Sequence, residues 1–179
     1  MHYQEVLDFW FVPEHQPHWF AKNDAFDQLI EKKFKSLQQK AAQSELWNWR
    51  KTAEGRLAEI IVLDQFSRNL FREDPRAFSQ DPLALALAQE AITLNLDQQL
   101  SPEQRTFLYL PFMHSESSDI HKFAVKLFER LGNPVNLEFE HKHKVIIDRF
   151  GRYPHRNAIL QRQSTAEELA FLQQPNSSF

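Results

Sequence analysis

Apolar residues recur along the chain at intervals of three and four, the spacing that lines one face of a helix. Phe26, Leu29, Ile30, Phe34, Leu37 and Ala41 form one such face, and Asn23 or Asp24 stands where its N-cap belongs. A shorter helix is predicted over 3–11, with Val6, Phe9 and Trp10 inward. VPEHQPHWF (12–20) carries two prolines and reads as a connector pinned by Trp19 and Phe20. RLAEIIVLDQFSRNLF (56–71) is apolar nearly all round, the pattern of a central helix. Asp64 and Arg68 share its stripe with Leu57, Ile61 and Phe71, so both are expected at core positions.

Further helices follow. Asp81 as N-cap and Pro82 at the first helical position open one over 82–95. Ser101-Pro102 opens another, expected to run to about Leu110 because Pro111 cannot continue a helix without a kink. A helix over 118–131, capped by Ser115 or Ser117, presents Ile120, Phe123, Ala124, Leu127 and Leu131 inward. One over 136–150 presents Phe139, His143, Ile146 and Phe150, and Gly151 suits its left-handed end. Pro154 starts a short helix through Leu160, and Ser164-Thr165-Ala166-Glu167 reads as the capping box of a last one. QQPNSSF (173–179) is expected to fray. The pattern predicts an all-α chain of helical hairpins in one domain over 1–179, with a faint tetratricopeptide echo in A-x-x-A-I at 88–92.

Composition narrows the picture. Three glycines among 179 residues, against a usual share of about 7%, argue against hairpin-rich β folds. Apolar content of 42% is enough for a real core, and a net charge of −3 gives no general pull toward nucleic acid or anionic membrane. No cysteine is present, which excludes disulfides, thiol catalysis and thiolate metal sites and fits a reducing, cytoplasmic location. The start, MHYQEVLDFWF, does not read as a signal peptide, and no apolar run approaches the ~20 residues of a membrane helix. Gly-rich phosphate loops, nucleophile elbows and dinucleotide fingerprints are missing from the sequence.

Three polar groupings call for partners. Asp64, Arg68 and Asn69 sit on the central helix, where Asp and Arg four apart either lock packing or hold a polar ligand. FLYLPFMHSES (107–117) drives a greasy run straight into His114 and Glu116, and Arg105 shares a stripe with Leu108, Tyr109 and Phe112. Glu116 and His114 either cap and satisfy the Pro111 break or do acid–base work. In DRFGRYPHRNAILQR (148–162), Arg152, His155 and Arg156 flank the helix start at Pro154, where free N–H groups favour anions. The alternative is that these arginines bind carboxylates within the protein, with Asp64, Asp81 and Glu116 as internal partners. Glu138-x-x-His141 and Glu140-x-x-His143 share one segment beside Lys142 and Lys144, unlike the two-helix arrangement of di-iron bundles, so no metal site and no cofactor is expected. The basic segment is too short and too apolar for a nucleic-acid groove.

LDQFSRNLFREDPRAFSQD (63–81), LYLPFMHSE (108–116) and RFGRYPHRNAILQRQSTAEELAFL (149–172) resemble the signature blocks of the bacterial family designated domain of unknown function 924. The resemblance spans essentially the whole chain, including FWF near the start and the Trp19-Phe20 pair. It implies an all-α, tetratricopeptide-like array of antiparallel helical hairpins, and it brings no established activity. The family pattern tends to have proline at Ser67 and glycine at Gln161. Because the recognisable blocks contain the polar groupings, Asp64, Arg68, Asn69, Arg105, His114, Glu116, Arg152, Arg156 and Asn157 are expected to converge on one partly buried site. Three functions fit: binding of a small anionic ligand or peptide terminus, an enzyme using His114 and Glu116, or an interaction scaffold whose polar cluster is purely internal. Sequence leaves the oligomeric state open.

Overall fold

The computed structural model describes residues 1–178, and among them there is helix and turn but no strand. The fold is all-α. Contacts divide the chain into two compact units, Met1–Arg72 with Arg76–Pro111, and Glu73–Pro75 with the residues from Phe112 onward.

The first unit is built on the segment that sequence marks as central. Helix α1 covers Tyr3–Phe11, α2 Asp24–Ala42 and α3 Ala53–Ile61. A single π-helical turn, Val62–Phe66, then leads into α4, Ser67–Leu70. Around α3 and this turn pack α1, α2 and α5, Asp81–Thr93. Asn23 is the cap of α2, its Oδ1 accepting from Phe26 N. Phe34 lies 4.9 Å from Phe9 and 4.8 Å from Phe66 between ring centroids, and Trp10 meets Phe66 edge-on at 5.5 Å. Each such ring is fully or almost fully buried, and each contributes about 1.5–3 kcal/mol through removal from water. The continuous helix expected over 56–71 is therefore interrupted. Such π turns insert one residue into the α ladder, and this one carries Asp64.

Helix α6 spans Pro102–Met113 and passes through Pro111. The expected stop near Leu110 does not occur. Proline supplies no N–H there, so the Phe107 carbonyl gives up its α-helical partner while the rest of the ladder continues.

The second unit is led by a hairpin of α7, Ser118–Leu131, and α8, Pro134–Phe150. Gly132 (φ 75°) closes α7 in the left-handed region, and Asn133 Oδ1 caps α8 by accepting from Val135 N and Asn136 N. Ser117 is the cap of α7. Both helices are rotated from the expected faces. His121, Ala124, Leu127 and Phe128 are the buried set of α7, and Phe123 is 59% exposed. Glu140, His143, Ile146 and Ile147 are the buried set of α8, and Phe139 is 43% exposed. Lys126 and Lys142 lie over these two outward rings, 5.9 and 5.2 Å from their centroids.

The helix expected from Pro154 to Leu160 shrinks to a 3-10 turn, Pro154–Arg156, followed by turns. Arg162 N donates to Asn157 O and Gln161 N to Ala158 O, the paired bonds of a Schellman closure. Gln161 has φ 54°, the left-handed backbone that glycine adopts most readily. Helix α9, Ala166–Leu172, is boxed by Thr165 and Glu168, one residue later than the expected Ser164 and Glu167. Of the tail expected to fray, Ser177 is buried and donates to Leu172 O at 3.2 Å, and Phe179 lies outside the described residues.

We propose that the two units fold as the one domain expected over 1–179. All four tryptophans, at 10, 19, 47 and 49, lie in the first unit, so their fluorescence follows that unit alone. Helical circular dichroism follows both. Urea unfolding curves from the two probes should superimpose. Separate midpoints would show that the units unfold independently.

Candidate functional site

The expected site residues fall in two sets: Asp64, Arg68, Asn69 and Arg105 in the first unit, and His114, Glu116, Arg152, Arg156 and Asn157 in the second.

In the first set the π turn buries Asp64 completely. Arg68, one helical turn on, donates from Nη1 to Asp64 Oδ1 at 3.1 Å and to the Asp64 carbonyl at 2.9 Å. Its fork also grips Asp81, Nη1 to Oδ1 at 2.8 Å and Nη2 to Oδ2 at 3.0 Å. Gln65 Nε2 donates to the other Asp64 oxygen at 2.6 Å. Asn69 turns elsewhere and donates to Asp27 Oδ1 at 2.8 Å, a carboxylate that Arg72 also holds. Arg105 is half-buried beside the Tyr109 hydroxyl. That hydroxyl donates to Asp97 Oδ2 at 2.6 Å, and burial together with the Asp97 bond pushes its pKa well above the ordinary phenol value. Among the described residues, Arg105 Nε has no hydrogen-bond partner.

In the second set Glu116 is the node. Tyr153 N donates to its Oε1 at 2.7 Å, and Arg162 closes a fork, Nη1 to Oε2 at 2.7 Å and Nη2 to Oε1 at 2.9 Å. Arg162 also donates to Asn157 Oδ1 and to the Tyr153 carbonyl. Asn157 in turn donates to Ser164 Oγ at 3.0 Å. The N–H just ahead of the Pro154 turn is thus given to a carboxylate of the protein itself. Arg156 is buried, stacks 4.7 Å from the Tyr153 ring and donates to the His114 carbonyl at 3.1 Å. Arg152 forks Glu168, Nε to Oε1 at 2.7 Å and Nη2 to Oε2 at 2.8 Å.

The carboxylates respond to these partners. Burial would raise Glu116, but Arg162, the Tyr153 N–H and the nearby Arg156 charge outweigh it and hold the group below the usual range. Glu168 is drawn down to about 2, chiefly by Arg152. Arg162 is not among the expected site residues, although it closes the arginine-rich block 148–162 for which Glu116 is a candidate internal partner. The signal available was charge balance, since Glu116 has no counter-ion within a helical turn of itself. Sequence also missed His121 and Glu140, which the rotation of α7 and α8 turns inward. Among the described residues, no three of His, Cys, Asp and Glu group as metal ligands.

Two outcomes follow for Glu116 and Glu168. Arg162→Met strands a half-buried carboxylate and should lower unfolding stability by about 2–4 kcal/mol in urea titration. Both carboxylates have folded pKa values below the ordinary 4.5, so the unfolded chain binds more protons as the pH drops. Their stabilisation is full above pH 4.5 and drains as pH falls toward 2. The acid-side slope of the urea midpoint should flatten in Arg152→Met.

Comparison with known proteins places the chain. Residues 6–176 match the model of a bacterial protein family of unknown function, DUF924. No curated protein matches. The chain is similar to a solved protein of unknown function, ATU0120 from Agrobacterium tumefaciens, at 39% identity over 96% of each chain with a TM-score of 0.91. With nearly its whole length matched by the family model, the chain belongs to the bacterial DUF924 family.

Proposed function

We propose that this protein is a cytoplasmic, tetratricopeptide-like binding scaffold in which the arginine–carboxylate clusters are internal struts and partner contacts are made elsewhere on the surface. One observation carries the reading. Arg68, Arg152 and Arg162 each commit two guanidinium nitrogens to one protein carboxylate. A fork already filled by a carboxylate offers little to an incoming anion, which must displace it and leave its charge uncompensated. The acid–base reading on His114 and Glu116 draws no support from a Glu116 whose two oxygens are both occupied.

A small anionic ligand or peptide terminus is the second reading, and Arg105 favours it. Its Nε is buried without a hydrogen-bond partner among the described residues.

Native mass spectrometry beside a denatured control should return the bare chain mass. Calorimetric titration with inorganic phosphate, citrate and a short peptide with a free carboxylate should show no saturable heat. A mass lost on denaturation, or saturable binding of any probe, would overturn the strut reading. Binding abolished by Arg105→Met would put the ligand at that guanidinium.

A further inference from the structure

The α7–α8 hairpin buries a histidine and a glutamate against each other, and neither takes part in the arginine clusters. His121 and Glu140 are both completely buried. His121 Nδ1 lies 2.7 Å from Glu140 Oε1, and its Nε2 lies 2.8 Å from the Ser115 carbonyl. A carbonyl only accepts, so Nε2 carries a proton. The Tyr153 hydroxyl agrees with this. It donates its own proton to Met113 O at 2.5 Å, so its oxygen can only accept from Nε2 at 3.2 Å.

The second proton, between Nδ1 and Oε1, has two possible homes. On nitrogen it makes an imidazolium and a carboxylate; on oxygen it makes a neutral imidazole and a carboxylic acid. Glu140 Oε2 discriminates between them. It is buried with no hydrogen-bond partner among the described residues. As half of a carboxylate it would hold charge out of water with no donor. As the carbonyl of a neutral acid it forgoes only a weaker bond. Burial also pushes the Glu140 carboxyl upward, against the pull of His121.

We propose that Glu140 is held as a carboxylic acid donating to His121 Nδ1, and that this one proton is a latch that fixes the imidazole tautomer and thereby clamps the turn bearing His114 and Glu116. In the latched form His121 Nε2–H holds the Ser115 carbonyl and Tyr153 holds the Met113 carbonyl. Loss of the Glu140 proton to solvent base leaves a carboxylate facing Nδ1. The single imidazole proton then moves from Nε2 to Nδ1 to meet it. Nε2, now a lone pair, takes the Tyr153 hydroxyl proton as an acceptor, and both carbonyls lose their donors. The turn between them is the one that delivers Glu116 to Arg162.

On α8 the surrounding charges are His141, Lys144 and Asp148; Lys144 pairs with Asp148, and both His141 and Lys144 draw the Glu140 carboxyl downward. His143, also on α8, donates from Nδ1 to Phe139 O and is held neutral by burial, with its pKa down at about 3. His114 from the turn and His155 beyond Tyr153 act on His143, and on α7 Lys122, Lys126 and Glu129 line one surface with His141, Lys144 and Asp148. With its folded pKa above the ordinary 4.5, Glu140 favours the folded state fully below that value and loses this as pH rises through the folded pKa.

The test is the nitrogen-15 spectrum of His121 against pH in the full chain. At neutral pH it should show the neutral Nε2–H tautomer, and on alkalinisation the two nitrogens should exchange shifts as the Nδ1–H tautomer appears. Glu140→Gln, whose amide always donates, should stay Nε2–H throughout. A doubly protonated ring at neutral pH would overturn the proposal in favour of an ion pair. A neutral ring that never changes tautomer before unfolding would overturn the latch, as would the same transition in Glu140→Gln. Should Glu140→Gln fail to fold, the wild-type titration alone decides between these outcomes.

Discussion

A guanidinium that leaves water has to take its counter-charge with it. This constraint organises the polar residues in each unit. Arg68 draws Asp64 and Asp81 together across α4 and the start of α5, and Arg162 draws Glu116 to the segment after α8. Arg50 meets the fully buried Glu59 with both prongs at 2.7 Å, and Arg152 meets Glu168 in the same manner. Apart from Arg68–Asp64, which is a helical neighbour pair, each link joins stretches well separated along the chain. Their value is geometric as much as energetic, because a planar fork fixes direction as well as distance.

Backbone irregularities sit where these links need them. Asp64 is in the π turn, Glu116 is in the turn between α6 and α7, and Arg162 follows a left-handed Gln161. Ser67 follows the π turn within a continuing helical run, and its hydroxyl accepts from Gln38 at 3.0 Å.

Much of the fold was legible because helical periodicity and caps are local. Most of the inward face of α2, the Asn23 and Ser117 caps and the left-handed end at Gly151 could be read from neighbours a turn away, whereas Leu29, expected inward, is exposed and Gln38 is buried. Rotation of α7 and α8 was not legible. Choosing between Phe123 and His121, or Phe139 and Glu140, on hydrophobicity favours the phenylalanines. The packed hairpin turns the phenylalanines under lysines and the polar pair inward, where each polar group finds the other. Site residues followed the same rule. Asp64 with Arg68 was visible at helical spacing, whereas Glu116 with Arg162 is separated by 46 positions and only the folded second unit brings them together. The Pro111 stop failed for a related reason, since a continuous buried face on α6 outweighs one missing hydrogen bond.

A double-mutant cycle between Glu116→Gln and Arg162→Met, read by urea denaturation, isolates the fork from the loss of either side chain alone. If paired charges are the struts of the second unit, the coupling energy should exceed about 1.5 kcal/mol. Losses that simply add, to within about 0.5 kcal/mol, would mean that the fork is incidental and that Glu116 and Arg162 are available for another task.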